Sequence, residues 1–198
     1  MKLKDLHPPI LELAPGQTFH RVQLTRARKT NIRINGFLLP PVGLLADRFD
    51  LTAESTAYLA DSAHTALYES RFRREVKSRS LSELIHLSMV QFVTRGTLRL
   101  ADLRSLAEAY PVLQAQRFTI TQAFALDCRQ HKLDGILYES AQHPHHTCVV
   151  LFEAGIAKMK KVASESLVTP DTYKLRTYVT DAARRSAVPL LDFPDQDT

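Results

Sequence analysis

The segment Asp134-Gly-Ile-Leu-Tyr-Glu-Ser140 is the most informative stretch of the chain. It follows a predicted helix over residues 119–131, which Thr119 or Thr121 is expected to cap and which ends in basic residues that suit the negative helix end. Residues 135–138 predict a short strand, and a polar loop comes next. By itself the segment is a helix–strand–loop junction, so its meaning depends on what precedes it.

Strands and helices are mixed along the rest of the chain without strict βαβ alternation. Further strands are expected over 18–24, 56–60, 84–94, 97–103, 148–152 and 156–162, with a tight turn at Arg95-Gly96 and a helical reading of 84–94 left open. Helices are expected over about 62–76 after a cap at Asp61 or Ser62, over 103–110, and in part of 170–187. This order predicts an α+β fold with a mixed central sheet and flanking helices.

The length of 198 residues fits one domain. Residues 1–16 predict an irregular N-terminal arm, 17–155 the main domain, and 156–198 a C-terminal extension packed on it. Residues 25–47 read as a long loop with turn signals at Asn35-Gly36. Hydrophobic residues make up 44% of the sequence, enough for a core, but no run approaches the roughly 20 apolar residues that span a bilayer. Prolines interrupt the N-terminus, unlike a signal peptide, so the expected location is the cytoplasm.

The formal net charge of +5 favours anionic partners. The densest basic segment, residues 26–33, has few aromatic residues that could stack on bases, so direct nucleic-acid binding is not favoured. Cys128 and Cys148 are expected to be reduced and buried, and neither has zinc-binding spacing. The sequence has neither a Gly-rich dinucleotide motif nor a phosphate-binding P-loop.

A set of further motifs precedes the segment over residues 134–140. It resembles the RES-domain family, named for an arginine, a glutamate after a strand–helix turn and a serine after a later strand. The resemblance covers roughly residues 19–152. Its motifs are Phe19-His-Arg21, Asp47-Arg48-Phe-Asp50, Tyr58, the helix ending Thr65-Ala-Leu-Tyr-Glu69, the helix Thr119-Ile-Thr-Gln122, and the segment ending at Ser140.

The resemblance implies an ADP-ribosyltransferase-like fold and NAD as substrate, with no metal. Glu69 would stabilise the positive charge that develops on the ribose or orient the acceptor. Arg21 and Arg48 would hold phosphates, because guanidinium groups match phosphate geometry. Tyr58 would pack on nicotinamide, and Ser140 would orient a phosphate or ribose oxygen. The expected catalytic residues are therefore Glu69, Arg48 and Ser140, and the expected NAD-binding residues are Arg21, Arg48, Tyr58 and Ser140.

The same resemblance implies an NAD-degrading enzyme that cleaves the nicotinamide–ribose bond, with phosphate or water as acceptor. Such an enzyme would be a bacterial toxin with a cognate antitoxin partner. Two alternatives stay open: a protein ADP-ribosyltransferase, and a non-enzymatic module that binds nucleic acid or protein. The acceptor, the partner, the oligomeric state and the role of residues 156–198 are open as well.

Several residues depart from the family pattern. The family's glycine before the second arginine is Asp47 here, and its usual asparagine is Asp50. Glu54 adds a third carboxylate to the same region. These charges are expected to weaken phosphate binding unless the side chains point away.

Two competing interpretations concern single motifs. Glu69 could simply pair with Arg73 at helical i,i+4 spacing. His143, His145 and His146, with His131 and Asp134, could form a metal site, but adjacent side chains in an extended segment point apart. A solvated loop is the stronger prediction.

Overall fold

The computed structural model describes residues 2–106, 110 and 118–191. Its helices are α1 (Leu3–Leu6), α2 (Ala63–Ser70), α3 (Leu81–Leu84), α4 (Thr119–Gln130), α5 (Glu153–Ala157) and α6 (Thr177–Ser186). Its strands are β1 (Ile10–Leu13), β2 (Thr18–Leu24), β3 (Ile32–Ile34), β4 (Phe37–Leu39), β5 (Ala57–Ala60), β6 (Arg79–Ser80), β7 (Leu87–Thr94), β8 (Leu98–Asp102), β9 (Gly135–Glu139), β10 (Thr147–Leu151), β11 (Met159–Ser166) and β12 (Leu190–Leu191).

One sheet of eight strands organises the molecule, in the order β1-β8-β9-β10-β5-β2-β7-β11. Strands β8 and β9 run parallel, whereas the other pairs in this sheet are antiparallel. Helices flank the sheet, with α2 and α6 packed against each other and α4 packed on β9. The predicted α+β fold with a mixed central sheet is confirmed.

The sheet is strongly curled. Strands β7 and β8 are joined by residues 95–97 alone, yet they lie five strand spacings apart in the sheet order. Five spacings on a flat sheet would be about 24 Å, whereas four Cα steps reach about 15 Å at most. The two halves of the sheet must therefore bend towards each other. The predicted tight turn at Arg95-Gly96 does not make a hairpin, because β7 pairs with β2 and β11 instead.

Alternate residues of each central strand face opposite sides of this curl. Leu59 of β5 and Val149 of β10 lie in the inner core with Phe92 of β7. Tyr58 and Val150 point the other way and pack with α4 residues in an outer core. Because successive side chains of a strand point to opposite faces, the same strands contribute apolar side chains to both cores, and Tyr58 points towards the outer face.

A hairpin closes one side of the inner core. Asn35 and Gly36 both have positive φ, 49° and 88°, as a tight hairpin turn requires, and they join β3 to β4. The hairpin places Phe37 against Phe92 with stacked rings 3.7 Å apart. The segment over residues 25–47, which was predicted to be a long loop, therefore contains a short ordered hairpin.

The prediction of an irregular arm over residues 1–16 is wrong for residues 10–13. They form β1, which pairs with β8 at one edge of the sheet and places Leu11 and Leu13 against the inner core. A helical turn, α1, precedes it. At the other edge β11 pairs with β7, so residues after 155 also build the sheet.

Other predicted boundaries shift. The helix expected to reach residue 76 ends at Ser70, because the chain turns to bury Phe72 in the core. Its N-cap is Ser62, as predicted, and the Ser62 side chain accepts a hydrogen bond from the Thr65 N–H. The helix expected over 103–110 is a 3-10 turn at Arg104–Leu106, and the remainder lies outside the described residues except Tyr110. The polar tail over 192–198 lies outside them too.

Both cysteines are free and buried, as expected. Cys128 lies in α4 and Cys148 in β10. None of the helices in the described ranges has the length and apolar character needed to span a bilayer.

Candidate active site

A cleft with a volume of about 710 Å³ is lined by residues of β2, β5 and α2 and by the loop that precedes β5. Four of the five predicted site residues line it: Arg21, Arg48, Tyr58 and Glu69. The fifth, Ser140, does not line the cleft but is hydrogen-bonded to Glu69. The fold thus brings together residues that lie far apart in the sequence.

Glu69 is held at the cleft by two hydrogen bonds from the loop after β9. Its Oε1 accepts from the Ser140 hydroxyl over 2.5 Å and from the Gln142 N–H over 3.2 Å. The competing interpretation, an ion pair with Arg73, does not hold. Because the helix ends at Ser70, Arg73 instead donates to the Glu69 carbonyl oxygen and lies 4.0 Å from Glu75. The Glu69 carboxylate is therefore oriented by neutral donors and not by a cation.

Ser140 is buried, with 4% of its surface exposed. Its hydroxyl donates to Glu69 and accepts from the N–H groups of Gln142 and His143 over 3.2 and 2.9 Å. All of these partners belong to the protein, so the serine is fully engaged in fixing the glutamate and the loop. This geometry supports an orienting role through Glu69 more than the predicted direct contact with a phosphate or ribose.

Three cleft arginines each leave a buried donor without a partner among the described residues. These donors are the Nε–H groups of Arg21, Arg48 and Arg71. Buried donors are nearly always satisfied in folded proteins, so three around one cleft indicate a place for an anionic ligand. Arg21 is anchored by one other bond, from Nη1 to the Tyr58 carbonyl oxygen over 2.7 Å. Burial lowers the pKa of Arg21 from its ordinary value, although the group remains a cation at neutral pH.

The loop bearing Arg48 is fastened to α4. The Thr121 hydroxyl donates to the Arg48 carbonyl oxygen over 2.6 Å, and the Gln122 amide donates to the Asp47 carbonyl oxygen over 3.0 Å. This explains the Thr-Gln pair of the predicted helix. The expected cap by Thr119 or Thr121 is wrong: Phe118 is the N-cap residue and no side chain caps the helix, because Thr121 serves the loop. The Arg48 guanidinium lies 5.9 Å from the centre of the Tyr138 ring, within range of a cation–π contact.

Tyr58 and Asp50 form a hydrogen-bonded unit under this loop. The Tyr58 hydroxyl donates to Asp50 over 3.1 Å and accepts from the Phe49 N–H over 2.8 Å. Asp50 also accepts from the Thr56 hydroxyl and the Asp47 N–H. Burial raises the pKa of Tyr58 well above its ordinary value, so the phenol stays neutral and can keep donating. The ring lines the cleft while its hydroxyl braces the loop.

The three carboxylates near Arg48, the two departures Asp47 and Asp50 and the additional Glu54, lie in different environments. Asp50 is buried and consumed by its hydrogen bonds. Glu54 points away and pairs with Arg129 of α4 over 2.6 Å. Asp47 lines the cleft, and its carboxylate has no hydrogen bond or ion pair within residues 2–106, 110 and 118–191. One of the three expected negative charges is therefore presented to a ligand without compensation by hydrogen bonds.

Sequence reasoning missed three further lining residues: Arg71, Arg73 and Tyr138. Tyr138 lies in the segment over residues 134–140, and its alternation with the buried Leu137 in β9 could have identified it as a lining residue. Arg71 and Arg73 were assigned to a helix that in fact ends before them. Their position depends on the turn that buries Phe72, and no local sequence pattern predicts that turn.

The histidine loop beside the site is a packed cluster. His143 stacks on His146 at 3.7 Å and bonds the Thr65 hydroxyl, and His146 Nδ1 lies 3.1 Å from Asp61. His145 is turned away towards Glu139. Among the described residues no group of three or more His, Cys, Asp or Glu side chains is arranged to hold a metal ion. The alternative metal site over residues 131–146 thus finds no support in these positions.

Comparison with known proteins identifies a family and a similar fold. No curated protein matches the chain. A chain in the crystal structure of the M. tuberculosis MbcT–MbcA toxin–antitoxin complex has a similar fold, with a TM-score of 0.60 and 16% sequence identity, over 83% of this chain and 89% of that one. The family described as the RES domain matches residues 18–175, which is most of the chain. On that match, the protein belongs to the RES-domain family.

Proposed function

We propose that this protein is an NAD-consuming enzyme that cleaves the bond between nicotinamide and ribose, and that it acts as the toxin of a toxin–antitoxin pair in the cytoplasm. The observation that carries the proposal is the arrangement of Glu69. A carboxylate fixed by two neutral donors faces a cleft that also holds three arginines with unmatched buried donors. Such a cleft offers one negative group for a ribosyl cation and several positive groups for a diphosphate.

The residues divide between the two ends of the substrate. Arg21, Arg48 and Arg71 would bind the diphosphate, since each lines the cleft and has a buried donor without a partner among the described residues. Glu69 would lie beside the ribose carbon that loses nicotinamide and stabilise its developing positive charge. Tyr58 would pack on the nicotinamide ring. Ser140, buried behind Glu69, would orient that carboxylate.

The comparisons support the biological setting. The chain belongs to the RES-domain family, and the similar solved structure is a toxin–antitoxin complex. We therefore propose a cognate antitoxin as partner, which would silence the enzyme by covering the cleft.

The test is nicotinamide release from NAD by the purified protein. We expect release from the wild type and a loss of about 100-fold or more for Glu69→Ala, the order seen when a preorganised electrostatic group is removed. Glu12→Ala is the matched control, because Glu12 is an exposed acid that lies 4.0 Å from Arg99 and does not line the cleft. It should keep wild-type activity.

Three results would contradict the proposal. Equal release by Glu69→Ala and wild type would remove the role of Glu69. Release that requires an added protein, with ADP-ribose becoming attached to that protein, would favour the ADP-ribosyltransferase alternative. No NAD turnover by a folded protein would remove the enzyme. In cells, expression of the wild type should stop growth, and expression of Glu69→Ala should not.

A further inference from the structure

The charges around the cleft are balanced. Among the described residues that line it, the arginines are Arg21, Arg48, Arg71 and Arg73, and the carboxylates are Asp47, Asp50, Glu69 and Glu75. His20 also lines the cleft, and burial lowers its pKa, so at neutral pH it adds no charge. Four cations therefore face four anions before any ligand enters.

Bound NAD would shift this balance to the negative side. Its diphosphate carries two negative charges and its nicotinamide ring one positive charge, so the substrate brings a net negative charge. A phosphate acceptor would bring up to two more into a site whose cations already serve the diphosphate. Like charges held a few ångströms apart in one cleft repel each other. A neutral acceptor meets no such penalty.

Asp47 is the carboxylate best placed to act on an acceptor. The Asp50 carboxylate is occupied by its hydrogen bonds, and Glu75 lies beside Arg73. Glu69 is held through one oxygen by the loop after β9 and is already assigned to the ribosyl cation. The Asp47 side chain keeps both oxygens free among the described residues, while its backbone is fixed by bonds to Asp50 and Gln122. Asp47 thus lines the cleft with a fixed backbone and a carboxylate that has no hydrogen-bond partner in the part of the chain that the structure describes.

We propose that the acceptor in this cleft is water, that Asp47 repels phosphate from it, and that the enzyme is an NAD glycohydrolase. This inference rests on the proposed function. In the step, the bond between ribose C1′ and the nicotinamide nitrogen breaks, and its electron pair stays on nicotinamide. The water oxygen bonds to C1′, and its proton passes to the Asp47 carboxylate and then to solvent. The products are nicotinamide, ADP-ribose and one proton.

The environment of Asp47 suits this proton transfer. Burial and the neighbouring Asp50 carboxylate raise the pKa of Asp47, while Arg73 and Arg21 oppose part of that rise. A carboxylate with a raised pKa is a stronger base than an ordinary one. The same side chain can therefore accept a proton from water and exclude an anion.

The experiment compares products across a series of phosphate concentrations, with ionic strength held constant by chloride. Wild type, Asp47→Asn, Asp47→Ala and the control Glu54→Gln are each incubated with NAD. Nicotinamide is measured, and ADP-ribose is separated by mass from the adduct that carries phosphate at C1′. Glu54→Gln removes a carboxylate from the same loop, but one that pairs with Arg129 outside the cleft.

We expect wild type and Glu54→Gln to form ADP-ribose at every phosphate concentration. The two Asp47 variants should form ADP-ribose more slowly and raise the phosphate-adduct share by about tenfold or more, the order expected for one carboxylate acting on a doubly charged anion. The product ratio separates this role from a structural one, because a merely destabilised enzyme loses both products together. Two variants are used so that a folding failure in one leaves the test intact.

The remaining outcomes are distinguishable. A wild type that makes mainly the phosphate adduct overturns this inference and leaves NAD cleavage standing. Asp47 variants that stay strictly hydrolytic in phosphate overturn the role of Asp47. No nicotinamide release from any folded form overturns the proposed function, and this inference with it.

Discussion

Replacing Ser140 by alanine tests how the site is built. The change removes the hydroxyl that donates to Glu69 and accepts from the N–H groups of Gln142 and His143. The Gln142 N–H keeps Glu69 as a partner at 3.2 Å, whereas the lost serine is the only partner of the His143 N–H among the described residues. A lost bond to a charged group and one orphaned buried donor together cost about 2–4 kcal/mol of unfolding free energy.

The catalytic effect should exceed what instability explains. Without the serine, Glu69 keeps one of its two orienting bonds, and a displacement of about 1 Å can reduce turnover by roughly 100-fold. We therefore expect Ser140→Ala to lower kcat by about 10- to 100-fold and to leave KM for NAD within about threefold, because the buried hydroxyl contacts Glu69 and not the substrate.

The assay pairs urea unfolding with steady-state nicotinamide release. Ser88→Ala is the matched control: Ser88 is also buried, at 3% exposure, and its hydroxyl bonds Thr25 over 2.8 Å outside the cleft. It should lose about 1 kcal/mol of stability and keep its kcat. A Ser140→Ala enzyme with raised KM and unchanged kcat would refute the argument, since that pattern belongs to a residue that binds substrate directly.

Three further changes probe the support of the site. Thr121→Val removes the donor to the Arg48 carbonyl oxygen and should raise KM for NAD several-fold with a loss of about 1–2 kcal/mol; unchanged KM would contradict the anchoring role. Gly135→Ala would set a Cβ 2.1 Å from the Val150 carbonyl oxygen, so urea unfolding should report a loss of about 1–3 kcal/mol or more, and wild-type stability would be incompatible with this packing. Burial lowers the pKa of His143 in the folded protein below the unfolded value of about 6.5. Because the unfolded chain binds the proton more readily, the contribution of His143 to the free energy of unfolding is present above the unfolded pKa and is lost as pH falls through the folded pKa. His143→Gln should therefore lose less stability than wild type on acidification, measured by urea unfolding over that range; an equal loss would argue against the linkage.

The sequence predicted the central strands well because their patterns are local. Strand β2 has the bounds expected from alternation, and β5, β9 and β10 lie within a residue of theirs. The partners of these strands could not be predicted in the same way. Pairing of β7 with β2 and β11, and the curl it requires, depends on contacts between residues distant in sequence, as does the recruitment of β1 to the sheet edge.

The site residues divide in the same way: motifs in the sequence predicted which residues belong to the site, but not the contacts that each side chain makes. Arg21, Arg48, Tyr58 and Glu69 were predicted from motif order, and the cleft brings them together. What each side chain bonds to was beyond the sequence, because it depends on loop geometry. Thus Ser140 lies behind Glu69 and not in the cleft. Asp47 and Asp50 are three residues apart, yet among the described residues only the Asp50 carboxylate accepts hydrogen bonds.

The position of β10 in the middle of the sheet has a consequence for synthesis of the chain. This strand lies between β5 and β9, and the loop that fixes Glu69 ends where β10 begins. A ribosome that has made only the first 140 residues has produced every arginine of the site but not the strand that joins its two walls. An incomplete chain therefore lacks the strand that connects the two walls, so the cleft can assemble only after most of the polypeptide has been made.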